Sequence, residues 1–410
     1  MTTILKNINK IIEVDGDYLN KKITSCKING EAISDGDAKL ETNGTKLSLI
    51  EYVEKEKRDF YSNLLKNQYN EIENIVILSG AGSSVEIGKT NKGLIMSGLW
   101  DLFEKEDSKT LSTLITKTGH DKTIKDLEAL LSKSGIYNIV NKDVLKEEIE
   151  KVKQFIVKKC SLDLPDNSPH EKFLNKVTLR PQKYPRVKLF TLNYDTLFEQ
   201  AARQEKFTII DGFTFSNPRE FNGKYFDYDI IETRHNRQDK KDSTISKLFY
   251  LFKMHGSLDW IRNGNEIIQS DISPTNTMDR VMIFPQDSKY EHSYEQPYFE
   301  MMARFQQSLR TENTLLITIG FSFVDKHISS VILESLKQNP SLNLIVFSYP
   351  EVIQNGNEYQ KELNTIAEHY GHVTLVAEKF EDLANEYPKN NAHNRNNIIE
   401  ELAKVLKSKK

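Results

Sequence analysis

The chain lacks the residues and segments that mark a cysteine-built metal site, a disulfide framework or a membrane protein. Cys26 and Cys160 are the only cysteines among its 410 residues, which excludes a four-cysteine zinc site and a disulfide network. No HExxH segment occurs, and no apolar run approaches the ~18 residues of a membrane helix. The N-terminal stretch MTTILKNINK lacks the apolar core of a signal peptide. We therefore expect a cytoplasmic protein without a bound metal.

A marked excess of one charge is also lacking. Lysine and arginine number 56 and aspartate and glutamate 59, which gives a formal net charge of -3. That balance excludes the broad basic surface typical of nucleic-acid-binding proteins, so we expect neither nucleic acid nor membrane as a partner. A chain of 410 residues of which 38% are hydrophobic is typical of a soluble globular protein with about two or three domains.

The pattern of apolar residues divides the chain into an extension, a main domain and a terminal helix. Residues 1–60 alternate in polarity as strands do, turn at Asn29–Gly30 in a type I′ hairpin, and lead into a first helix. In residues 61–385, short apolar runs alternate with helical segments, which predicts an α/β fold with a Rossmann-like parallel sheet and helices on both faces. Helical spacing predicts a helical insertion at about 98–180 and a C-terminal helix over 386–410.

The segment SGAGSSVEIGKT, residues 79–90, has the composition of a phosphate-binding loop. It does not fit the P-loop of ATP-binding proteins, because five residues rather than four separate Gly82 from Gly88. A dinucleotide-binding turn fits better, since an apolar strand leads into the glycines and a helix is predicted to follow, with free amides and a positive end that attract a pyrophosphate. Its predicted contacts are Gly80, Ala81, Gly82, Ser83 and Ser84. Because Val85 stands where the third fingerprint glycine belongs, a serine-capped turn without a ligand stays open as the alternative.

Polar residues and turns follow three further predicted strands. Asn193 and Asp195 come after VKLFTL, His255 and Gly256 after LFYLFK, and Gly320, Phe321 and Ser322 after TLLIT. Ligands of a parallel sheet bind beyond the carboxyl ends of its strands, so we expect these residues to meet the glycine loop at one edge. The structural alternatives are Asp195 as a helix cap, His255 as a buried histidine and Gly320 as a turn residue.

GAGSS, TLNYD, HGS and GFSFVD, in this order over roughly residues 70–385, resemble the motifs of the sirtuin-like NAD-binding fold. The resemblance implies that NAD+ binds as a substrate with its pyrophosphate on the GAGSS loop. It further implies that Asn193, Asp195 and His255 surround the nicotinamide ribose, and that Gly320, Phe321 and Ser322 lie near the ribose or the phosphates.

Two departures from protein-deacylating sirtuins narrow the resemblance. EIGKTNKGLI replaces their Gly-Ile-Pro-Asp-Phe-Arg-Ser-type segment after the glycine loop, and zinc-binding cysteines are missing. The chain is more similar to the bacterial sirtuin-like NAD+ hydrolases of antiphage defence, and its length to the kind partnered with a HerA-type ATPase. That family implies an NAD+ glycohydrolase that releases nicotinamide and ADP-ribose. An NAD-dependent protein deacylase and a non-catalytic NAD+ or ADP-ribose sensor are the alternatives.

For NAD+ cleavage we assign a role to each polar side chain. Asn193 holds ribose hydroxyls or a water through its carboxamide, and His255 takes a proton as general base, since the ordinary pKa of a histidine is ~6.5. Asp195 either caps its helix or polarises the ribose contact. His170, beside a predicted helix cap, is expected to be solvated. Residues 1–60 are predicted to mediate self-association, because strand edges in front of the main domain need cover.

Overall fold

A single large sheet runs through the computed structural model of the chain. The structure describes residues 1–33, 41–42, 45–68, 72–181, 183–231, 245–272, 280–282, 296–354 and 356–389. Their strands are β1 Thr2–Asn7, β2 Lys10–Asp17, β3 Lys22–Ile28, β4 Glu31–Ile33, β5 Glu41–Thr42, β6 Thr45–Lys46, β7 Asn74–Ser79, β8 Lys188–Thr191, β9 Thr208–Ile210, β10 Leu248–Lys253, β11 Gly256–Asn263, β12 Glu266–Gln269, β13 Arg280–Met282, β14 Thr314–Ile319, β15 Asn343–Ser348 and β16 Val373–Ala377.

Helices separate most of the parallel strands. They are α1 Leu49–Gln68, α2 Met96–Glu106, α3 Ser108–Thr118, α4 Leu127–Val140, α5 Lys146–Cys160, α6 Pro169–Val177, α7 Leu197–Glu205, α8 Tyr298–Arg310, α9 Lys326–Gln338, α10 Pro350–Ile353, α11 Glu358–His369 and α12 Phe380–Glu386. Among the described helices, none combines the length and the apolar character that a membrane span requires.

Within the described residues, eleven strands form the large sheet, in the order β4-β3-β2-β1-β16-β15-β14-β7-β8-β10-β9. From β16 to β9 every neighbouring pair is parallel. The apolar runs that predict these strands are mostly buried, and all residues of β14 are buried. Such runs are expected where helices cover both faces of a parallel sheet. The predicted α/β class with a parallel sheet is confirmed.

The strand order reverses beside β7. The chain passes from β7 to β8 on one side, and β14 later pairs with β7 on the other side. The loops after β7 and β14 therefore leave the sheet at adjacent positions, at the switch point where open α/β sheets bind ligands. The loops after β8 and β10 leave the same edge of the sheet one and two strands further along.

The N-terminal strands extend the sheet rather than standing in front of it. β1 pairs antiparallel with β16, with Leu5 opposite Val376, so these strands continue the sheet of the main domain. β3 and β4 form the predicted hairpin, whose turn residues Asn29 and Gly30 have φ values of 52° and 85°, as a type I′ turn requires. The short strand β4 is left as the edge strand. Self-association through residues 1–60 stays a prediction.

The predicted helical insertion consists of α2 to α6. Within the described residues 96–160 the chain forms helices and turns, and α2 to α5 share an apolar core built on Trp100, Phe103, Leu114, Leu130 and Phe155. β11, β12 and β13 form a separate three-stranded sheet. The predicted C-terminal helix falls largely on residues 390–410, outside the described part of the chain.

His170 is buried, and the expectation that it is solvated is wrong. Ser168 begins α6 with a capping box and Pro169 occupies its first turn, as predicted. The next residue, His170, turns inward and lies against Phe198 and Phe380, with ring centroids 4.7 and 5.0 Å away. Burial among apolar groups lowers the pKa of His170 to about 3. A residue one position past a cap can face either side of a helix, and the packing of α6 on α7 and α12 decides which.

Candidate functional site

The glycine loop leaves β7 through a short 3-10 turn, Ala81–Ser83. The prediction that it opens a helix is wrong, because the next described helix, α2, begins only at Met96. The premise of free amides is wrong as well for most of the loop. The N–H of Gly80 donates to the Ile319 carbonyl, and that of Gly82 donates to the Gly320 carbonyl. Within the turn, the N–H of Ser83 donates to Gly80 and that of Ser84 to Ala81. The attraction of a helix N-terminus for phosphate therefore does not apply here. Ala81 is the exposed residue of the turn.

The glycines of this loop are required by the packing of two loops at the switch point. A Cβ on Gly82 would lie 2.6 Å from the Cα of Gly320, and a Cβ on Gly80 would lie 2.7 Å from the Gly320 carbonyl oxygen. Gly320 itself has φ of +58°, a left-handed conformation that favours glycine. The loops after β7 and β14 thus form one unit, and this contact accounts for the glycines without a ligand.

Asn193 connects the loop after β8 to the glycine loop. Its Nδ2 donates to the Gly80 carbonyl at 3.0 Å, to Ser83 Oγ at 3.1 Å and to Ser84 Oγ at 2.8 Å. Its Oδ1 accepts no hydrogen bond from the described residues. The carboxamide is therefore fixed through its nitrogen, and its oxygen can accept a hydrogen bond from a hydroxyl group or a water.

Asp195 uses both carboxylate oxygens within the protein. Oδ1 accepts the N–H of Leu197 at 3.1 Å, at the start of α7, and Oδ2 accepts the Ser84 hydroxyl at 2.7 Å. The side chain is buried. Its contacts favour the alternative in which Asp195 begins its helix and orders the glycine loop, rather than one in which it meets a ribose.

His255 lies in the turn between β10 and β11, against the loop that carries Asn193. The backbone N–H of Met254 donates to the Thr191 carbonyl at 2.8 Å, and that of Leu258 to the Tyr194 carbonyl at 3.1 Å. The register of β10 on β8 places Lys253 opposite Thr191, so the two loops leave the sheet side by side. The structure therefore brings the loops of Asn193 and His255 together at the edge where the sequence placed them.

The imidazole of His255 meets a carboxylate from a third loop. His255 Nε2 lies 3.3 Å from Oδ2 of Asp325, and the two side chains are only 10% and 8% exposed. Asp325 also begins α9, because its Oδ1 accepts the N–H groups of His327 and Ile328 at 3.0 and 3.3 Å. The sequence analysis did not predict the contact of Asp325 with His255. The acidic residue of GFSFVD is the feature of the sequence that could have indicated this contact.

Phe321 and Ser322 differ in their access to a ligand. Phe321 is buried and packs against Phe323 in a tilted arrangement, with ring centroids 4.6 Å apart, so its side chain belongs to the core. Ser322 is exposed. Its carbonyl accepts from Gln360 Nε2 at 2.7 Å, and the next carbonyl, that of Phe323, accepts from Asn357 Nδ2 at 2.9 Å. These bonds hold Phe323 at φ +57°, a conformation that is rare for an aromatic residue.

Lys253 supports the site from beneath and was missed by sequence reasoning. Its ammonium group is 2% exposed and donates to the carbonyl of Tyr194 at 3.3 Å, to that of Asp195, and to Glu199 Oε1 at 3.0 Å. Burial raises the pKa of Glu199 to about 7, an effect that the charge of Lys253 partly offsets. The lysine at the end of the apolar strand LFYLFK could have indicated a buried ion pair, because buried charges are usually paired.

The helical insertion packs on the same loops. The hydroxyl of Tyr194 donates to Glu128 Oε1 of α4 at 3.0 Å, and Val157 of α5 packs against Tyr194 and Leu258. Burial, with the nearby carboxylates of Asp195 and Glu128, raises the pKa of Cys160 to about 12. That thiol is therefore protonated at neutral pH and a poor nucleophile.

A second polar cluster lies two strands away, at the ends of β15 and β16. A cleft of about 50 Å³ there is lined by residues that include Tyr18, Lys57, Arg58, Tyr349 and Glu378. None of the predicted site residues lines this cleft. Within the described ranges, no group of three His, Cys, Asp or Glu side chains could hold a metal ion. The absence of a metal stays a prediction.

Residues 187–375 match the family described as the SIR2-like domain. The matched range begins just before β8 and ends within β16, so it includes Asn193, His255 and Asp325, whereas the glycine loop after β7 precedes it.

The chain is also similar to solved structures of Sir2 enzymes. One, described as "Structural Basis for the Mechanism and Regulation of Sir2 Enzymes", has 10% identity and a TM-score of 0.40, over 81% of this chain and 96% of the other. A second is Sir2 in complex with the inhibitor EX-527, 2′-O-acetyl-ADP-ribose and a deacetylated p53 peptide, with 9% identity and a TM-score of 0.36, over 79% and 96%. At TM-scores this low, neither similarity decides the fold or the function. No curated protein matches the chain.

Proposed function

We propose that this protein cleaves the bond between nicotinamide and ribose in NAD+ and releases nicotinamide and ADP-ribose. The observation that carries the proposal is the meeting of Asn193, the glycine loop and the His255–Asp325 pair at one edge of the sheet, beside its switch point. The SIR2-like domain over residues 187–375 supports NAD+ as the substrate.

The reaction needs a positioned sugar and a nucleophile more than a strong catalyst of bond breaking. The pyridinium of NAD+ leaves as neutral nicotinamide, which takes the electron pair of the C–N bond, and a cation develops at C1′ of the ribose. Water forms the new C1′–O bond and gives up a proton. In the proposed mechanism Asn193 Oδ1 accepts a hydrogen bond from a ribose hydroxyl or this water, and His255 takes the proton.

The glycine loop contributes shape rather than free amides. Four of its N–H groups are engaged in the protein, so the pyrophosphate is proposed to lie along the exposed surface of Ala81 and Gly82. Ser322, exposed on the facing loop, is proposed as a hydroxyl donor to the ribose or phosphates. The other predicted binding residues contact one another or the core. They are proposed to shape this surface and to order Asn193 and Asp195; they are Gly80, Ser83, Ser84, Gly320 and Phe321.

The biological setting is proposed from the motif resemblance. We propose that the activity serves antiphage defence by depletion of NAD+, that the protein self-associates, and that a HerA-type ATPase is its partner. An experiment that compares NAD+ consumption with and without such an ATPase addresses the last point. A rate unchanged by the ATPase, at concentrations where the two proteins co-elute in gel filtration, would argue against regulation by it.

The activity is tested with purified full-length protein, NAD+ and no peptide, with nicotinamide and ADP-ribose measured by chromatography. Both products are expected in equal amounts. His255→Ala is expected to lower kcat by about 10²- to 10⁴-fold, the usual contribution of a general base. Asn193→Ala is expected to lower kcat by about 10²-fold, because the carboxamide no longer positions the ribose or the water. His369→Ala, on the exposed end of α11, is the matched control and is expected to match the parent.

Other outcomes identify other functions. Nicotinamide release that requires an added acyl-lysine peptide would establish a deacylase instead. NAD+ or ADP-ribose binding by calorimetry without product formation would establish a sensor. Full turnover in folded Asn193→Ala or His255→Ala protein would remove the proposed roles of these residues.

A further inference from the structure

We infer that Asp325 is a positioning residue that fixes the tautomer of His255 while it caps α9. This inference rests on the NAD+ cleavage proposed above, because it assigns the nitrogen of His255 that receives the proton. Its basis is that the two oxygens of one buried carboxylate have different partners, the backbone of α9 and His255.

The first oxygen is held by backbone. Oδ1 of Asp325 accepts the N–H groups of His327 and Ile328, which are orphan donors of the first turn of α9. With Oδ1 in this position, Oδ2 faces His255 Nε2 at 3.3 Å. The carboxylate cannot turn away without uncapping the helix, so the second contact is directed by the first.

The loop that carries Asp325 is itself anchored. Asn357 and Gln360, at the start of α11, bind the carbonyls of Phe323 and Ser322 at 2.9 and 2.7 Å. The left-handed conformation of Phe323, at φ +57°, indicates that these contacts outweigh the conformational preference of the residue. The position of Asp325 is thus determined by the packing of α11 as well as by α9.

An ionised carboxylate accepts hydrogen bonds and donates none. Nε2 of a neutral His255 must therefore carry the hydrogen that faces Asp325, and the basic lone pair lies on Nδ1. The same carboxylate stabilises the imidazolium that forms when His255 takes a proton. Both effects act through His255, and neither requires Asp325 to touch the substrate.

Helix capping alone does not need an aspartate. Asparagine and serine cap helices about as well, so variants can keep the cap and change only the contact with His255. In Asp325→Asn, the carbonyl oxygen takes the capping position and the amide presents N–H groups to Nε2. The hydrogen of His255 must then move to Nδ1, which removes the basic lone pair from that nitrogen.

The kinetic test compares Asp325→Asn and Asp325→Ser with the parent. We expect Asp325→Asn to lower kcat by about 10²- to 10⁴-fold with KM changed less than threefold; the corresponding Asp-to-Asn change in serine proteases costs about 10⁴-fold through the wrong tautomer. Asp325→Ser caps the helix but is too short to reach Nε2, and its kcat is expected between those of the parent and the asparagine variant.

A matched control separates capping from positioning. Asp107 caps α3 in the same way, with Oδ1 accepting the N–H of Thr110 at 3.0 Å. Asp107→Asn and Asp107→Ser are expected to shift the melting temperature as the Asp325 variants do and to leave kcat unchanged. If the Asp107 variants lower kcat as much as the Asp325 variants, the effect is structural and the inference is overturned.

A spectroscopic readout does not depend on activity. In protein labelled with ¹⁵N-histidine, with the His255 signals assigned from the spectrum of His255→Gln, the ring nitrogen shifts report which nitrogen carries hydrogen. The parent is expected to be protonated on Nε2 and Asp325→Asn on Nδ1. The same tautomer in both proteins overturns the inference. If the parent shows the Nε2 form but does not cleave NAD+, the positioning of His255 stands and the proposed function fails.

Discussion

Two groups of buried polar side chains lie along the same edge of the sheet, and they are organised differently. Beyond β7, β8, β10 and β14, Asn193 and His255 bind backbone, hydroxyl groups or a capping carboxylate. Beyond β15 and β16, Lys57 pairs with Glu378 at 3.0 Å and contacts Glu54 and Tyr18, which ties α1 to the sheet. In the first group an amide oxygen and an imidazole are proposed to act on a substrate, whereas in the second group one charge neutralises another.

The comparison distinguishes a candidate functional site from a structural ion-pair cluster. A buried ion pair whose members meet each other contributes mainly to holding two elements in place. By contrast, the Asn193 carboxamide is held through its nitrogen and the His255 imidazole lies against the Asp325 carboxylate, so neighbouring groups orient both side chains. The predictions below test this separation from the largest expected effect on stability to the smallest.

Lys57→Met is expected to cost up to about 3–5 kcal/mol of unfolding free energy, because the buried Glu378 then loses its 3.0 Å pair with Lys57 and retains a longer contact with Arg58, at 3.6 Å. The effect is measured by urea denaturation. NAD+ cleavage per folded molecule is expected to be unchanged. Lys66→Met, at the exposed end of the same helix, is the control and is expected to change stability little. A lowered kcat in folded Lys57→Met protein would show that the two clusters act together in the reaction.

Gly82→Ala is expected to cost about 1–3 kcal/mol and to lower NAD+ cleavage, since its Cβ would meet the Gly320 Cα at 2.6 Å and force the two loops apart. Gly135→Ala in α4, where a Cβ meets nothing within 4 Å, is the matched control and is expected to stabilise by up to about 1 kcal/mol. Wild-type activity and stability in Gly82→Ala would show that the loops are not tightly packed.

The last expected effect is a pH dependence from Glu199, which is measured as a slope rather than as a loss of stability at one pH. Burial raises its pKa in the folded protein from the ordinary 4.5 to about 7, so between these values the folded state binds more protons than the unfolded state. The unfolding free energy contributed by this group is therefore highest below pH 4.5 and falls as the pH rises through 7. Glu199→Gln is expected to flatten this slope in urea denaturation from pH 4.5 to 7.5. Equal slopes in the parent and in Glu199→Gln would contradict the raised pKa of Glu199.

Sequence patterns predicted local features of the site better than its contacts. Continuous apolar runs predicted the parallel strands, because strands buried on both faces cannot alternate, and Asn29–Gly30 predicted its turn from the φ values these residues tolerate. The helix after the glycine loop was predicted wrongly. The Gly80 and Gly82 amides of that loop donate to the carbonyls of Ile319 and Gly320, more than 230 residues away in sequence, and no local pattern records such contacts.

The sequence by itself determined the fold class and the edge of the sheet where the chemistry is proposed, since strand ends follow from apolar runs and polar residues follow the ends. Only the tertiary structure decided which of those residues meet. Asp325 faces His255, Lys253 lies under the loop of Asn193, and His170 packs among aromatic rings because the register of strands and the packing of helices set distances across the chain. Side-chain contacts of this kind depend on ångström-scale geometry, which residue types and spacings do not specify.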